Sequence, residues 1–302
     1  MVVIVGPTGV GKTEISLKLA AQFRVEIISA DSRLFYRGMD IGTAKPTAAE
    51  REKIQHHLID VANPDETWSL ALFQKAAREA IHEIHERGNL PFLVGGTGQF
   101  IRAVTEEWSI PAQEHDHRIR SVLEKWATEI GTDGLHARLA TLDPTAAARI
   151  DHRNLRRTIR ALEVTLMTGV RFSDQRRKLG SPYDLLTLGL MRSRAELYAR
   201  IDKRIEWMIS NGFIDEVKGL LARGFAPDLP AFSAIGYREI IRYVKNEITS
   251  EEAVIEIKKG TRQFVRRQAN WFKENDPGIK WFQVNEETID HMEQDINERL
   301  HH

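Results

Sequence analysis

Cysteine is absent from this 302-residue sequence. That excludes disulfides, a cysteine-ligated zinc site and thiol catalysis, and makes a cytoplasmic location the expectation. No apolar run approaches the roughly 20 residues that a bilayer crossing needs, so no membrane partner is expected. The first residues are strand-like and lead straight into a glycine-rich turn, which does not read as a signal peptide. At the other end, His301 and His302 read as a purification-tag remnant. Net charge is also missing, with 43 Lys and Arg balancing 43 Asp and Glu. The balance is a sum of unlike parts. Arg149 to Lys178 holds nine basic residues against three acids, Lys258 to Lys273 holds six basic residues and no acid, and Glu286 to Glu298 holds six acids. Local patches, not the total, set the field that a partner meets. Each basic patch reads either as a solvated helix face or as a contact for an anionic polymer.

What is present begins with VVIV at residues 2–5, followed by GPTGVGKT. Gly6, Gly11, Lys12 and Thr13 satisfy the pattern G-x-x-x-x-G-K-[ST]. At average composition this pattern arises by chance in roughly one chain of this length in a hundred, and here it also falls between a strand and a helix. The loop Gly6, Pro7, Thr8, Gly9, Val10, Gly11, Lys12 and Thr13 is therefore expected to cradle phosphate oxygens with backbone N–H groups at a helix N-terminus. Lys12 would neutralise charge, and Thr13 is the expected ligand of a Mg2+ ion. Such a loop reads phosphates and not the rest of the ligand. ATP is the default occupant, but a kinase or ATPase normally has an acid at the end of a neighbouring strand. FLVGGTG ends in Gly95, Gly96 and Thr97 and offers no carboxylate. VEIISAD ends in Asp31, beside Ser32, Tyr36 and Arg37. Asp31 fits two roles: an acid standing behind a magnesium ion, or a general base aimed at a second substrate.

The N-terminal third alternates strand and helix signals. TEISLKLAAQF reads as a helix, VEIISAD as a strand, HHLID as a possible strand and LPFLVGGTG as another. SLALFQKAAREAIHEIHERG reads as a helix with Ser69 as N-cap and Gly88 at its end. This alternation predicts an α/β fold of the P-loop NTPase-like type, a parallel sheet flanked by helices. From about residue 112 the strand signals stop. HRIRSVLEKWATEI spaces Ile119, Val122, Leu123, Trp126 and Ile130 as a helix does. DPTAAARI starts a helix with Asp143 as cap and Pro144 in the first turn. NLRRTIRALEVTLMTG predicts a helix ended by Gly169, with Leu155, Ile159, Leu162 and Leu166 as its apolar stripe. Its opposite face carries Arg153, Arg156, Arg157 and Arg160, a row suited to phosphates. TLGLM at 187–191 reads as a return to the sheet. The expected domains are a core of 1–111 plus 184–302 and an all-helical insertion domain of 112–183, with breaks near WSIPAQEHD and LGSPYD. Further helices follow, the last long one near 251–274, where Lys258, Arg262 and Arg266 lie four apart on one face.

The pieces GPTGVGKT, ADSRLFYRGMDIGTAKP, HHLID, LVGGTGQFIRAV, RALEV, GFIDEVKGLL, IGYREI and TRQFVRRQANWF together resemble the tRNA dimethylallyltransferase family, in the family's order and across nearly the whole chain. The long DSxxxYRGMDIGTAKP stretch is much more specific than the phosphate loop. Departures occur at Phe100, Val265, Asn270 and Leu34, where the family often has Tyr, Ala, Thr and Gln.

The resemblance implies transfer of a dimethylallyl group from dimethylallyl diphosphate to the exocyclic amine of the adenine 3′ of the anticodon in tRNA. The loop would then hold a diphosphate that is also the leaving group. Asp31 would accept the amine proton, and Thr97 would position reacting groups. Lys12, the loop amides, Mg2+ on Thr13 and Arg238 would stabilise the departing charge. The competing readings are a helix cap for Asp31, a turn residue for Thr97 and a surface ion pair for Arg238. Asp31, Ser32, Arg33, Leu34, Thr97 and Arg120 align with positions that meet the tRNA. Arg156, Arg157, Arg160, Arg262, Arg266 and Arg267 are expected to grip the anticodon stem-loop backbone around a base splayed from its stack. A monomer is the expected state. Two other classes stay open: an ATP-dependent small-molecule or nucleoside kinase, and a non-catalytic RNA-binding module.

Overall fold

The computed structural model describes residues 1–110, 117–175 and 180–301. His302 and most of the expected break at WSIPAQEHD lie outside the described residues. The chain forms two compact units, Met1–Thr105 with Ser181–His302, and Glu106–Gly180.

In the first unit the chain runs β1 (Val2–Val5), α1 (Lys12–Ala20), β2 (Val25–Ser29), α2 (Ala48–Lys53), β3 (His56–His57), α3 (Leu70–Glu86), β4 (Leu90–Gly95) and α4 (Gly98–Thr105). The second unit is helical: α5 (His117–Leu142), α6 (Pro144–Arg149), α7 (Leu155–Thr168) and α8 (Phe172–Gln175). The chain then returns to the first unit with β5 (Leu186–Met191), α9 (Arg194–Ser210), α10 (Phe213–Ala222), α11 (Tyr237–Val244), α12 (Ser250–Gln268), β6 (Lys280–Gln283) and α13 (Thr288–Leu300).

The six strands form one parallel sheet in the order β3-β2-β4-β1-β5-β6. Val2 to Val5 are all buried, as expected of a strand covered on both faces. β1 lies in the interior of the sheet, with Val5 level with Gly95 of β4 and Gly189 of β5. From β1 the chain crosses over β4 to β2, and it later comes back to β5 on the other side. The order therefore reverses beside β1, where α/β sheets open a crevice at the carboxyl ends of their strands. TLGLM does rejoin the sheet, against β1. The edge strand β6 is short and carries no strong sequence signal.

Several local signals behave as the residues dictate. The Ser69 hydroxyl accepts from the Leu72 N–H and starts α3. Asp143 accepts from the Ala146 N–H and starts α6, and Gly169 closes α7 at φ 69°. Other expectations shift. α5 is bent at Gly131, and its buried residues are Leu123, Ala127, Leu135 and Leu139, while Val122 is 63% exposed. Trp126, Ile130 and Leu166 are exposed as well. α12 stops at Gln268, short of residue 274, and the side chain of that last residue bonds two loops of the site.

Glu26 of β2 is buried at the end of the sheet remote from the phosphate loop. It accepts from Arg87 Nε (2.9 Å) and Nη2 (2.8 Å) and from Asn89 Nδ2 (2.7 Å), and lies 2.7 Å from His57 Nε2. The Arg87 hydrogen bonds outweigh burial and hold its pKa down at about 2 instead of 4.5. A depressed carboxylate pKa contributes stability above the unfolded value, lost as pH falls through the folded one. Denaturant titrations of the wild type should thus lose stability between about pH 5 and pH 2. Glu26→Gln should be less stable at neutral pH and lose less over that range; an equally steep loss in the variant would contradict the assignment.

Candidate active site

The loop between β1 and α1 is shaped by positions that only glycine fills easily. A side chain on Gly6 would put its Cβ 2.7 Å from the Leu190 carbonyl oxygen, and Gly11 precedes α1 in the left-handed region at φ 109°. The carbonyls of Gly9 and Val10 accept from Arg200 Nε and Arg192 Nε, both at 3.0 Å. Lys12 and Thr13 open α1, where N–H groups have no intrahelical acceptor. Lys12 Nζ reaches back over the loop and donates to the carbonyls of Gly6 (3.0 Å) and Pro7 (3.1 Å). Burial lowers its pKa to about 8, with Asp31 raising it and Arg204 lowering it. Lysine, carboxylate and guanidinium therefore share one field.

A cavity of about 960 Å³ opens above this loop. Its walls include Thr8, Gly9, Gly11, Lys12, Thr13, Asp31, Leu34, Lys45, Arg200, Lys203 and Arg204. A second cavity, of about 60 Å³, shares Lys12, Thr13, Asp31, Leu34 and Pro46 and adds Ser16, Ile27, Ser29, His56, Ile59, Val94 and Gly95. Asp31, just past β2, takes the Arg33 N–H on Oδ1 at 3.0 Å. Its carboxylate thus stands on the same rim as the phosphate loop because β1 and β2 point the same way.

Three positions that build this site, Arg200, Lys203 and Arg204, escape a motif search, and a fourth, Gln268, lies within TRQFVRRQANWF without its partner being marked there. Arg204 Nη2 donates to Thr8 Oγ1 at 2.9 Å, burial lowers its pKa, and its Nε is buried with no partner among the described residues. Arg200 and Lys203 stand in the same wall, and spacings of three and four put all three on one face of α9. That spacing was the available signal. Gln268 of α12 accepts from the Thr8 N–H at 2.9 Å and donates to the Gly96 carbonyl at 3.0 Å. Thr8 therefore meets the cavity with its side chain while its amide is taken by the protein. Nothing local in the sequence marks a glutamine 260 positions away as that amide's partner.

The stretch RGMDIGTAKP is held from both signs of charge. The ammonium of Lys45, 2% exposed, donates to the Tyr36 carbonyl (2.9 Å), Asp40 (2.5 Å) and Asp60 (2.6 Å). Glu216 of α10 accepts from the N–H groups of Asp40 (2.9 Å), Ile41 (2.6 Å) and Gly42 (3.2 Å) and from the Tyr237 hydroxyl (2.6 Å). Burial, then the charge of Glu216, raises the Tyr237 pKa, which keeps that donor protonated.

The remaining expected residues divide. Ser32, Arg33 and Leu34 follow Asp31 in the turn closed by the Leu34 N–H to the Asp31 carbonyl (3.1 Å). Arg33 is half-buried, and burial lowers its pKa while the charge of Arg238 pushes the same way. Arg238 is exposed at the start of α11, and Glu239 caps that helix instead of pairing with it. Thr97 starts α4 by accepting from the N–H groups of Phe100 and Ile101, and neither Thr97 nor Arg238 lines the two cavities. On α12, Arg262 pairs with Asp202 at 2.6 Å and Lys258 with Glu206 at 2.7 Å, so two members of the expected row are tied to α9. Arg266 and Arg267 are exposed. In the helical unit Arg156 and Arg157 are exposed, whereas Arg160 (3.0 Å) and Arg120 (3.9 Å) meet the fully buried carboxylate of Glu163.

The IPP transferase family pattern matches residues 34–275. The tRNA dimethylallyltransferase of Roseiflexus sp. (strain RS-1) is 52% identical over 273 residues, covering 90% of each chain. That of Carboxydothermus hydrogenoformans is 46% identical over 299 residues, 98% of this chain and 96% of its own. Among solved structures, the full-length tRNA isopentenylpyrophosphate transferase from Bacillus halodurans superposes with a TM-score of 0.74 at 43% identity, over 99% of this chain and 96% of that one. A eukaryotic dimethylallyltransferase acting on tRNA gives a TM-score of 0.82 at 27% identity, over 97% of this chain and 77% of that one. Matched by the family pattern over 34–275 and by these relatives over 90% or more of its length, the chain belongs to the IPP transferase family of tRNA dimethylallyltransferases.

Proposed function

We propose that this protein transfers a dimethylallyl group from dimethylallyl diphosphate to the exocyclic N6 amine of the adenine immediately 3′ of the anticodon in tRNA. The observation that carries this reading is one cavity with Lys12 and Thr13 in its wall and the Asp31 carboxylate on the same rim. The diphosphate lies on the loop, its charge met by Lys12, Arg204 and the first amides of α1. The adenine amine attacks the allylic carbon, the carbon–oxygen bond to diphosphate breaks, and the amine proton passes to Asp31. Stabilising the leaving group and removing that proton are the two tasks the residues can perform.

The residues also suit a magnesium ion. Among the described residues no three His, Cys, Asp or Glu side chains converge as a metal cage. A magnesium ion would instead be held by the Thr13 hydroxyl in the wall of the large cavity, with substrate oxygens and water supplying its other ligands. When bound, it would add positive charge beside the departing diphosphate. The half-buried Arg33 and the exposed Arg238, together with Ser32, Leu34 and Thr97, are assigned to the acceptor loop, Ser32 to Leu34 because they follow Asp31 in its turn. Arg266 and Arg267, and Arg120, Arg156, Arg157 and Arg160 in the helical unit, are cations for the tRNA backbone. Arg262 contributes only if its pair with Asp202 opens. An ATP-dependent kinase lacks a supporting observation, since β4 ends in glycines and not in an acid.

Labelled dimethylallyl should pass from its diphosphate to unmodified tRNA with magnesium and no ATP; absence of transfer under those conditions contradicts the proposal. Asp31→Asn should lower kcat by about 10²–10⁴ while tRNA affinity changes no more than about threefold, and an equal loss in both would remove the base assignment. Lys12, with its pKa at about 8, is mostly neutral at about pH 9 before ligand arrives. Donor binding restores its charge, so calorimetry in buffers of different ionisation enthalpy should record uptake of about one proton. Lys12→Arg should abolish that uptake; the same uptake in the variant would contradict the role given to Lys12.

A further inference from the structure

The small cavity beside Asp31 differs in kind from the large one. Ile27, Leu34, Pro46, Ile59 and Val94 form its apolar wall, and Lys12, Thr13, Ser16, Ser29, Asp31 and His56 line the rest with Gly95. It offers about 60 Å³, and since one water needs roughly 10–15 Å³ of such space, it holds about five heavy atoms. An apolar recess of that size favours hydrocarbon over water. A group seated there also lies between the ammonium that meets the diphosphate and the carboxylate that meets the amine. The remaining polar wall is uncharged: His56 Nδ1 donates to the Ile54 carbonyl at 2.7 Å, and burial lowers the imidazole's pKa. No imidazolium therefore opposes a carbon that gains positive character.

Leu34 and Pro46 are the apolar residues in the wall of both cavities, beside Lys12, Thr13 and Asp31, so Leu34 lies where the recess adjoins the 960 Å³ space. Its backbone is held on both sides. The Leu34 N–H donates to the Asp31 carbonyl, and the Leu34 carbonyl accepts from the Asp60 N–H, both at 3.1 Å. Asp60 is in turn fixed by Lys45 and Arg51. The Leu34 backbone is fixed by that frame, so the side chain starts from a set position on the recess wall.

We propose that this recess seats the donor's hydrocarbon and that Leu34 and Ile59 limit it to five carbons, excluding ten-carbon allylic diphosphates. The inference rests on the transferase reading above and adds the residues that select the donor. Shortening Leu34 would join the recess to the large cavity and give a longer chain somewhere to go. Filling the recess from Ile59, which is only partly buried, would exclude the hydrocarbon and leave the phosphate loop as it is.

The test compares dimethylallyl and geranyl diphosphates as donors to an anticodon stem-loop, with inorganic diphosphate as a binding probe. In Leu34→Ala the ratio of geranyl to dimethylallyl kcat/KM should rise at least tenfold over wild type. In Ile59→Phe the KM for dimethylallyl diphosphate should rise at least tenfold, with the Kd for inorganic diphosphate within about twofold of wild type. A ratio unmoved by Leu34→Ala, or equal weakening of donor and inorganic diphosphate in Ile59→Phe, overturns the filter. If Ile59→Phe does not fold, as judged by circular dichroism, the Leu34→Ala ratio decides alone. Wild-type protein that transfers neither donor overturns the transferase reading itself, whereas active wild type with an unmoved ratio overturns the filter only.

Discussion

β1, β2 and β4 run in the same direction and end on one rim, and the chemistry of the site depends on that shared polarity. A residue just past β1 and a residue just past β2 are forced to the same side of the sheet. Lys12 and Asp31 are such residues, 19 positions apart in the sequence yet in the wall of one cavity. A reaction that must hold a leaving anion and remove a proton needs both charges close but not cancelling each other. Here the ammonium is satisfied by the carbonyls of Gly6 and Pro7, and one carboxylate oxygen by the Arg33 amide. Each charge is thus positioned by its own backbone segment and not by the other charge.

Around that pair the protein spends buried polar groups freely. Lys45 inserts an ammonium beneath the loop that follows Asp31, and Glu216 collects three of the loop's amides from outside. Breaking a buried pair leaves a charge uncompensated, so such contacts fix a conformation more than they add net stability. Gln268 does the same between the phosphate loop and the glycine turn after β4. Three helices that are distant in sequence, α9, α10 and α12, therefore determine the geometry of a site whose phosphate loop and Asp31 lie in the first 31 residues.

That division explains what could be read without coordinates. The phosphate loop, the run of buried strands, Ser69, Asp143 and Gly169 are local: their identity and their spacing carry the message. Asp31 was legible because it ends a strand. Arg204, Glu216 and Gln268 were not, since each acts through a partner 170 or more positions away. The same cause redirected the α12 arginines. Spacing put Lys258, Arg262 and Arg266 on one face, but only packing against α9 brought Asp202 and Glu206 to two of them. In α5 the buried pairs Leu123 and Ala127, and Leu135 and Leu139, lie four apart, and Val122, Trp126 and Ile130 fall on the neighbouring stripe, a choice that packing makes and periodicity alone does not.

The central claim is that the phosphate loop holds the leaving diphosphate of an allylic donor while Asp31 faces the acceptor amine. A crystal structure with an unreactive sulfur analogue of dimethylallyl diphosphate and an anticodon stem-loop tests it most directly. The expected result has diphosphate oxygens within hydrogen-bond reach of Lys12 Nζ and Arg204, and the flipped adenine amine within such reach of the Asp31 carboxylate. A donor bound away from the loop, or an adenine amine remote from Asp31 with the donor in place, would contradict it.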